Sequence, residues 1–393
     1  MMSLGRLTVA ERRVLSEIFW AGTVSRGDLA ERLEYSKSKV NAAIAALLDA
    51  RVIGEAGLLA SSGGRRAEGL RITLDGGLIA AVDIGASSLH VALLSPDMTI
   101  LAQHLEPADV RVIPDSLFAR VRDLLDLLLE RLSIPRERIL LIGVGVPGPV
   151  DFERACLVHP PLMPGWEGYS PRDALARDFE GAVFVDNDVN ILALGVLWRM
   201  SRMAQDFLVV KVGTGIGCGI ICKGAVYRGA AGSAGDVGHI CVDPQGPVCH
   251  CGNVGCVEAM AAGPAIARLG EQAARSGESP RLMGVLEAKG WLDPEDVDMA
   301  GREGDAAANA IIREAGANIG RMLATVVNFY NPSHVFICGG VVGIGPSFLS
   351  SIRQSVYQRS LPLSTRHLEI QTVDDAGNAG IIGAGVMAFL EVL

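Results

Sequence analysis

The 393-residue sequence has no uninterrupted apolar run of the roughly 18 residues that a membrane helix needs. Its N-terminus carries Arg6, Glu11, Arg12 and Arg13 before any apolar stretch of signal-peptide length, so no secretion leader is expected. Glycine is abundant, at 47 residues, yet follows no three-residue period; a collagen-like chain is excluded, and tight turns and phosphate loops remain as its use. Charge is sparse at 20% while 49% of residues are hydrophobic. A chain so apolar can bury enough surface to offset its ordering entropy, which excludes disorder. A basic excess is also missing: 35 Lys+Arg against 44 Asp+Glu leave a net charge of −9, which argues against a nucleic-acid binder taken as a whole. The eight cysteines are not spread as a disulfide framework, since three fall within 249–256, and that clustering favours metal binding. These absences predict a soluble, cytoplasmic protein with no membrane partner. The length predicts two or three domains.

The charge is unevenly placed. Residues 1–75 hold 11 Lys+Arg against 9 Asp+Glu, a net of +2, while the rest of the chain carries −11. A small basic head on an acidic body suits a DNA-reading module fused to something else. Thr8 and Glu11 have capping-box spacing, and Val14, Leu15, Ile18 and Phe19 recur at helical intervals, predicting a helix over 9–20. Ser25 opens a second helix with Asp28 in its first turn and Leu29 and Leu33 inward. Ser36 caps a third, with Val40, Ala43, Ile44, Leu47 and Leu48 as its buried stripe. Val52-Ile53 and Leu70–Ile72 then pair as strands around a basic tip, Ser61–Arg66. The order is that of a winged helix-turn-helix. Lys37, Ser38, Lys39 and Asn41 are expected to face the major groove, and Arg65 and Arg66 to touch backbone or minor groove.

In the body, residues 76–393, the apolar run Leu78–Val82 ends in Asp83-Ile84-Gly85-Ala86-Ser87-Ser88, and a second strand follows at His90–Leu94. An acid and a glycine in a turn between strands can hold a metal-bound phosphate on backbone N–H groups. A second such turn, Gly213-Thr214-Gly215-Ile216-Gly217-Cys218-Gly219, lies between Leu208–Val212 and Ile220-Ile221. Two strand-turn-strand loops predict a duplicated α/β fold with a cleft between lobes. Helices at 116–132, 188–203, 257–275, 305–329 and 377–392 would cover its sheets. Gly339-Gly340, after the strand Val335–Cys338, could approach an adenosine closely.

Gly235-Asp236-Val237-Gly238-His239, continuing through Cys249-His250-Cys251-Gly252-Asn253-Val254-Gly255-Cys256-Val257-Glu258, resembles the ROK family of repressors, open reading frames and kinases. Val146–Asp151, Asp186-Asn187-Asp188-Val189-Asn190 and the Gly213–Gly219 loop add to the resemblance, which spans nearly the whole chain. With its winged head, the chain looks like the family's sugar-responsive repressors. The resemblance implies a two-lobed actin-like (RNase H-like) ATPase/sugar-kinase fold, with a small lobe of about 76–187 plus 376–393 and a large lobe of about 188–375. His239, Cys249, Cys251 and Cys256 give a Cys₃His set for a structural Zn²⁺, every position filled by protein. His250 is expected on the surface beside it, and Cys156, Cys218, Cys222, Cys241 and Cys338, in apolar runs, in the core.

By the same resemblance, Asn187, Asp188, Asp236, His239 and Glu258 would meet sugar hydroxyls, and Asp83, Gly85, Ser87, Gly213, Thr214, Gly215 and Gly217 a nucleotide phosphate. Two departures matter. Asp236 stands where the family usually has Glu, and Ala86-Ser87 stands where its kinases carry Gly-Thr. A methyl at position 86 crowds the close approach to phosphate that glycine permits, so the ATP/Mg²⁺ loop is degraded though not erased. The expected function is a sugar-responsive repressor of carbohydrate-metabolism genes, acting as a homodimer or homotetramer on a palindromic operator. The alternative is an ATP-dependent, glucokinase-like sugar kinase with an accessory DNA module, in which Asp188 would be the general base.

Overall fold

The computed structural model describes residues 7–59, 67–161, 163–373 and 376–393. The head contains α1 (Val9–Ala21), β1 (Val24–Ser25), α2 (Arg26–Leu33), α3 (Lys37–Asp49), β2 (Ile53–Leu58) and β3 (Glu68–Ile72). Side-chain caps set the helix starts. Thr8 accepts from the Glu11 N–H while the Glu11 carboxylate accepts from the Thr8 N–H, and Ser25 with Asp28 repeats the device. Ser36 accepts from the Lys39 N–H at the start of α3. Each such cap stabilises its helix by about 1 kcal/mol. The inward stripe of α3 is Val40, Ala43, Ile44 and Leu47, with Leu48 only half-buried at its margin. β3 lies between β1 and β2, antiparallel to both, with Ile53 opposite Ile72. The hairpin tip with Arg65 and Arg66 lies outside the described residues.

A five-stranded sheet follows, built from β4 (Leu78–Ile84), β5 (Ser88–Leu94), β6 (Ile100–Pro107), β7 (Ile139–Val146) and, after the two-residue strands β8 (Val150–Asp151) and β9 (Cys156–Leu157), β10 (Ala182–Asn187). Its order is β10-β7-β4-β5-β6. Central β4 is buried on both faces and therefore reads as a continuous apolar run, whereas edge strand β6 alternates. Helices α4 (Pro114–Leu132), α5 (Pro171–Leu175) and α6 (Asp188–Arg199) complete this stretch.

A second five-stranded sheet uses β11 (Phe207–Val212), β12 (Ile216–Cys222), β13 (Ala225–Val226), β14 (His334–Cys338) and β15 (Glu369–Thr372), in the order β13-β12-β11-β14-β15. Both sheets follow one plan. The first three strands form an antiparallel meander, and the last two add in parallel on the other side of the first. The duplication expected from the two glycine turns is thus a duplication of strand order. Helices α7 (Val257–Ala261), α8 (Gly263–Arg275), α9 (Pro280–Lys289), α10 (Pro294–Arg302), α11 (Ala306–Tyr330), α12 (Gly345–Arg359) and α13 (Pro362–Thr365) belong to this part, and α14 (Ala376–Leu390) ends the chain. The single helix expected over 257–275 is two, because Pro264 lacks the N–H to continue α7 and instead starts α8.

The chain forms two compact units, one of Met1–Met203 with Gly377–Leu393, the other of Ala204–Ala376. Helix α6, expected to open the large lobe at residue 188, stays in the first unit. There it meets α14 backbone to backbone: a Cβ on Gly195 would collide with the Ala379 carbonyl, and one on Gly383 with that of Ile191. No helix among the described residues is long and apolar enough to cross a membrane.

Candidate metal centre and ligand loops

Cys249, Cys251 and Cys256 are carried to His239 by a backbone that doubles back twice. The chain leaves β13 and passes Gly235, whose φ of +109° and contact with the Cys218 carbonyl leave no room for a side chain. A 3₁₀ turn over Val237–His239 presents the imidazole. Antiparallel bridges at Cys241↔Cys256 and Val248↔Val254 then fold the segment, closed by a 2.7 Å bond from the Cys249 N–H to the Asn253 carbonyl. The four donor atoms lie within 4.8 Å of one another. The Cys249 Sγ to His239 Nδ1 distance and the Cys251 to Cys256 Sγ distance are both 3.7 Å. A tetrahedron with metal–sulfur bonds of about 2.3 Å has edges of about 3.8 Å, so the donors are spaced for one ion. Thiolates favour a soft or borderline ion such as zinc over hard cations.

The sulfurs are not alike in their proton affinity. Burial, aided by the neighbouring thiols, pushes Cys256 up to about 12, and burial also raises Cys249. The Asn253 backbone N–H lowers Cys251. Metal must therefore displace protons from the buried sulfurs, and its hold weakens as pH falls. An ion held by these four protein donors would have no position left for water.

Glu258 links this cluster to the glycine turn. Its Oε2 accepts from the Ile216 N–H at 3.0 Å, and its Oε1 lies 3.9 Å from the Cys249 Sγ. The turn itself is closed by the Gly213 N–H donating to the Gly215 carbonyl at 2.9 Å, with Thr214 and Gly215 exposed and Gly217 paired across from Lys211 in β11. Asp236 reaches solvent, yet packing around its carboxyl raises its pKa; His239 opposes the rise and Glu258 adds to it. His250 is exposed, as expected. Cys156, Cys218 and Cys338 are buried and Cys222 half-buried, but Cys241 is exposed. That corrects the core assignment of Cys241: its apolar run lies on the isolated ladder beside the metal donors, not in a sheet.

In the first unit, Asp83 pairs across from His90, and the Gly85 N–H donates to the Ser88 carbonyl at 2.8 Å, leaving Ser87 exposed at the tip. Asn187 caps α6: its Oδ1 accepts from the Val189 N–H and its Nδ2 donates to the Gly148 carbonyl, both at 2.9 Å. Its amide is engaged at both ends and ties the Val146–Asp151 loop to the helix. Asp188 follows in the first turn, 8% exposed, where the helix dipole favours a carboxylate. Sequence reasoning passed over Asp186, 2% exposed, which accepts from the Asn187 N–H at 2.7 Å and the Asn190 amide at 2.8 Å. Its signal was the i, i+4 spacing to Asn190.

On the head, Lys37, Ser38, Lys39 and Asn41 are exposed at the start of α3. Lys39 Nζ sits 3.5 Å from the Tyr35 ring centroid, and Arg13 donates to the Tyr35 hydroxyl at 3.2 Å. Tyr35 was also passed over, although an aromatic directly before the cap Ser36 was visible. An aromatic cluster joins α1 to α6 and α14. Phe19 stacks on Phe389 with centroids 4.1 Å apart and meets Trp198 at 4.6 Å, while Trp20 lies 5.6 Å from Trp198. Arg202 covers the Trp20 ring, and Arg12 donates to the Leu393 carbonyl.

A family model described as the ROK family matches residues 79–390. The chain belongs to the ROK family. Among curated proteins, this ROK chain is 28% identical over 381 residues to the xylose repressor of Caldicellulosiruptor bescii, covering 97% of this chain and 95% of the repressor. It is 27% identical to the DNA-binding transcriptional dual regulator NagC of Escherichia coli, covering 89% of this chain and 84% of NagC. It is 30% identical to a glucokinase of Halalkalibacterium halodurans, covering 77% of this chain and 92% of the enzyme. Among solved structures, a ROK family transcriptional regulator that is a homologue of E. coli MLC protein aligns with a TM-score of 0.80 at 26% identity, covering 98% of both chains. A ROK glucokinase from Streptomyces griseus, in complex with glucose and AMPPNP, aligns at 0.69 and 26% identity, covering 80% of this chain and all of that one. The fold is the family's actin-like sugar-kinase fold, preceded in this ROK protein by helices and a small sheet.

Proposed function

We propose that this ROK protein is a sugar-responsive, DNA-binding transcriptional regulator, a repressor of carbohydrate-metabolism genes. Residues 1–75 would read operator DNA as a winged helix-turn-helix, and residues 76–393 would bind the sugar. Coverage carries the reading: the xylose repressor aligns over 97% of the chain and the glucokinase over 77%, and the family model begins only at residue 79. Helices α2 and α3, joined through Glu34–Ser36 with exposed cations at the start of α3, support it.

In this reading Lys37 and Lys39 contact phosphates, Ser38 and Asn41 contact base edges, and Arg65 and Arg66 serve the wing. Asp188, Asp236, His239 and Glu258 would meet sugar hydroxyls, for which carboxylates supply fixed acceptors. Asn187 would act by holding α6 in place. Cys249, Cys251, Cys256 and His239 would hold a zinc ion that supplies shape. Sugar acts by binding one conformation better than another, and so shifts operator affinity. A symmetric dimer or tetramer on a palindromic operator follows from the same reading. The test is selection of bound duplexes from a random pool, then titration of the selected duplex with a panel of sugars and sugar phosphates. Binding that is sequence-independent, or unmoved by every sugar, refutes it.

A second reading, an ATP-dependent sugar kinase, is favoured by the glucokinase relatives and by the nearly buried Asp188, which would serve as general base. Ala86 in the first phosphate loop weighs against it. Sugar-dependent ADP release near the ~1–100 s⁻¹ typical of kinases would establish it; absent or very slow turnover is expected.

A further inference from the structure

Cys241 is an exposed thiol next to, but outside, the four-donor cluster. Its partner across the ladder is Cys256. The Val242 N–H donates to the Gly255 carbonyl at 2.8 Å, and the Val257 N–H donates to the Ile240 carbonyl at 3.0 Å, one bond on each side of the pair. That pattern makes Cys241 and Cys256 a non-hydrogen-bonded antiparallel pair, whose side chains share a face with Cα atoms about 4.5 Å apart. A disulfide spans Cα separations of about 4.4–6.8 Å, so this pairing falls at the near end of the range that one can bridge. Cys256 is fully buried, with its sulfur 3.7 Å from that of Cys251 among the metal donors.

We propose that Cys241 is a hydroperoxide-sensing thiol that, once oxidised, bonds to Cys256 and releases the metal. The inference rests on the metal assignment above. The Cys241 sulfur attacks the outer peroxide oxygen; the O–O bond breaks, the alcohol (or water) leaves, and Cys241 becomes a sulfenic acid. The Cys256 sulfur, a thiolate while it holds the metal, then attacks the Cys241 sulfur. The S–O bond breaks, hydroxide leaves and takes a proton from solvent as water, and the S–S bond has formed. Two electrons pass from the sulfur pair to the peroxide. Three donors remain for the ion. Cys241 reacts first because it is exposed and its sulfur is not tied to metal.

The test uses the full chain as purified, with zinc measured by elemental analysis, then hydrogen peroxide. Zinc release is followed with a chromogenic chelator, and the disulfide is located by peptide mapping. The expected result is loss of one zinc per chain with a Cys241–Cys256 link, reversed by thiol reductant plus zinc. Cys241→Ser should keep its zinc and release it at least about 10-fold more slowly. A wild-type link from Cys251 to Cys249 or Cys256, or an unchanged release rate in Cys241→Ser, overturns the proposal. Protein purified without zinc would fail the metal assignment and the release step with it, while the peptide map still reads the thiol pairing separately.

Discussion

Replacing Phe389 with Ala tests whether the head is held by the aromatic cluster. Phe389 is fully buried and Phe19, on which it stacks, is 1% exposed, so the substitution opens a cavity that solvent cannot fill without wetting Phe19. Removing a buried Phe costs about 3–5 kcal/mol, a total that includes the roughly 0.5–1.5 kcal/mol of ring-on-ring geometry where a second ring is stacked on it. Trp198, 4.6 Å from Phe19, lines the same space and is too large to collapse into it without leaving Trp20. The expected destabilisation is therefore about 4–5 kcal/mol, toward the upper end of that range. Urea unfolding followed by tryptophan fluorescence reads it directly, because two of the four tryptophans, Trp20 and Trp198, sit at the contact. Met203→Ala, at a side chain 83% exposed, is the control and should change stability by less than about 0.5 kcal/mol. A loss below about 1 kcal/mol for Phe389→Ala, with the denaturant slope unchanged, would refute the reasoning.

Asp188→Asn should leave DNA affinity intact and abolish the sugar's effect on it, a coupling of about 1–3 kcal/mol measurable by titrating operator with and without sugar. Cys256→Ser should reduce bound zinc from one per chain to near none by elemental analysis and lower the melting temperature, since metal binding is part of folding. Lys37→Ala and Lys39→Ala should each weaken binding to all duplexes and flatten the salt dependence by about one unit; an unchanged slope counts against the groove assignment. Glu106 is held down to about 2, from an ordinary value of 4.5, chiefly by its hydrogen bonds from Arg120 and also by His104. A depressed carboxylate contributes stability in full above its unfolded value and loses it as pH falls. The stability difference between wild type and Arg120→Ala should thus be constant above about pH 4.5 and vanish toward pH 2.

Local signals in the chain were readable because they act over a few residues. Thr8 with Glu11, Ser25 with Asp28, and Ser36 all cap the helices their spacing announced. The turns at Gly85 and Gly213 lie between paired strands for the same reason. Helices α9, α10 and α12 were not anticipated, although Pro280, Pro294 and Pro346 each mark a helix start. Their apolar residues also recur at helical intervals, Leu282 with Leu286 and Phe348 with Ile352 and Val356, so a signal for them was present. Contacts between distant segments were beyond local reading. Glu258 reaches the Ile216 N–H 42 residues away, and nothing near Glu258 says so. Cys241 looks like a core residue in Ile240-Cys241-Val242 until the ladder that exposes it is known. The four-donor cluster was legible because three of its members fall within eight residues, a density that ordinary core packing does not require.

Helices α6 and α14 touch through Gly195 and Gly383, backbone against carbonyl. Most helix pairs are separated by side chains, and those side chains act as shims: a small displacement of one helix is absorbed by a change of rotamer and never reaches the other. Here there is no shim. Asp188 begins α6, Trp198 lies ten residues and roughly 15 Å further along it, and Phe389 stands near the end of α14. A tilt imposed at Asp188 is therefore carried toward both rings that flank Phe19, because at these two contacts the helices press on each other as one strut. An alanine at either glycine would drive a wedge into that strut and displace the head's footing without touching Asp188, Phe19 or any residue of α3.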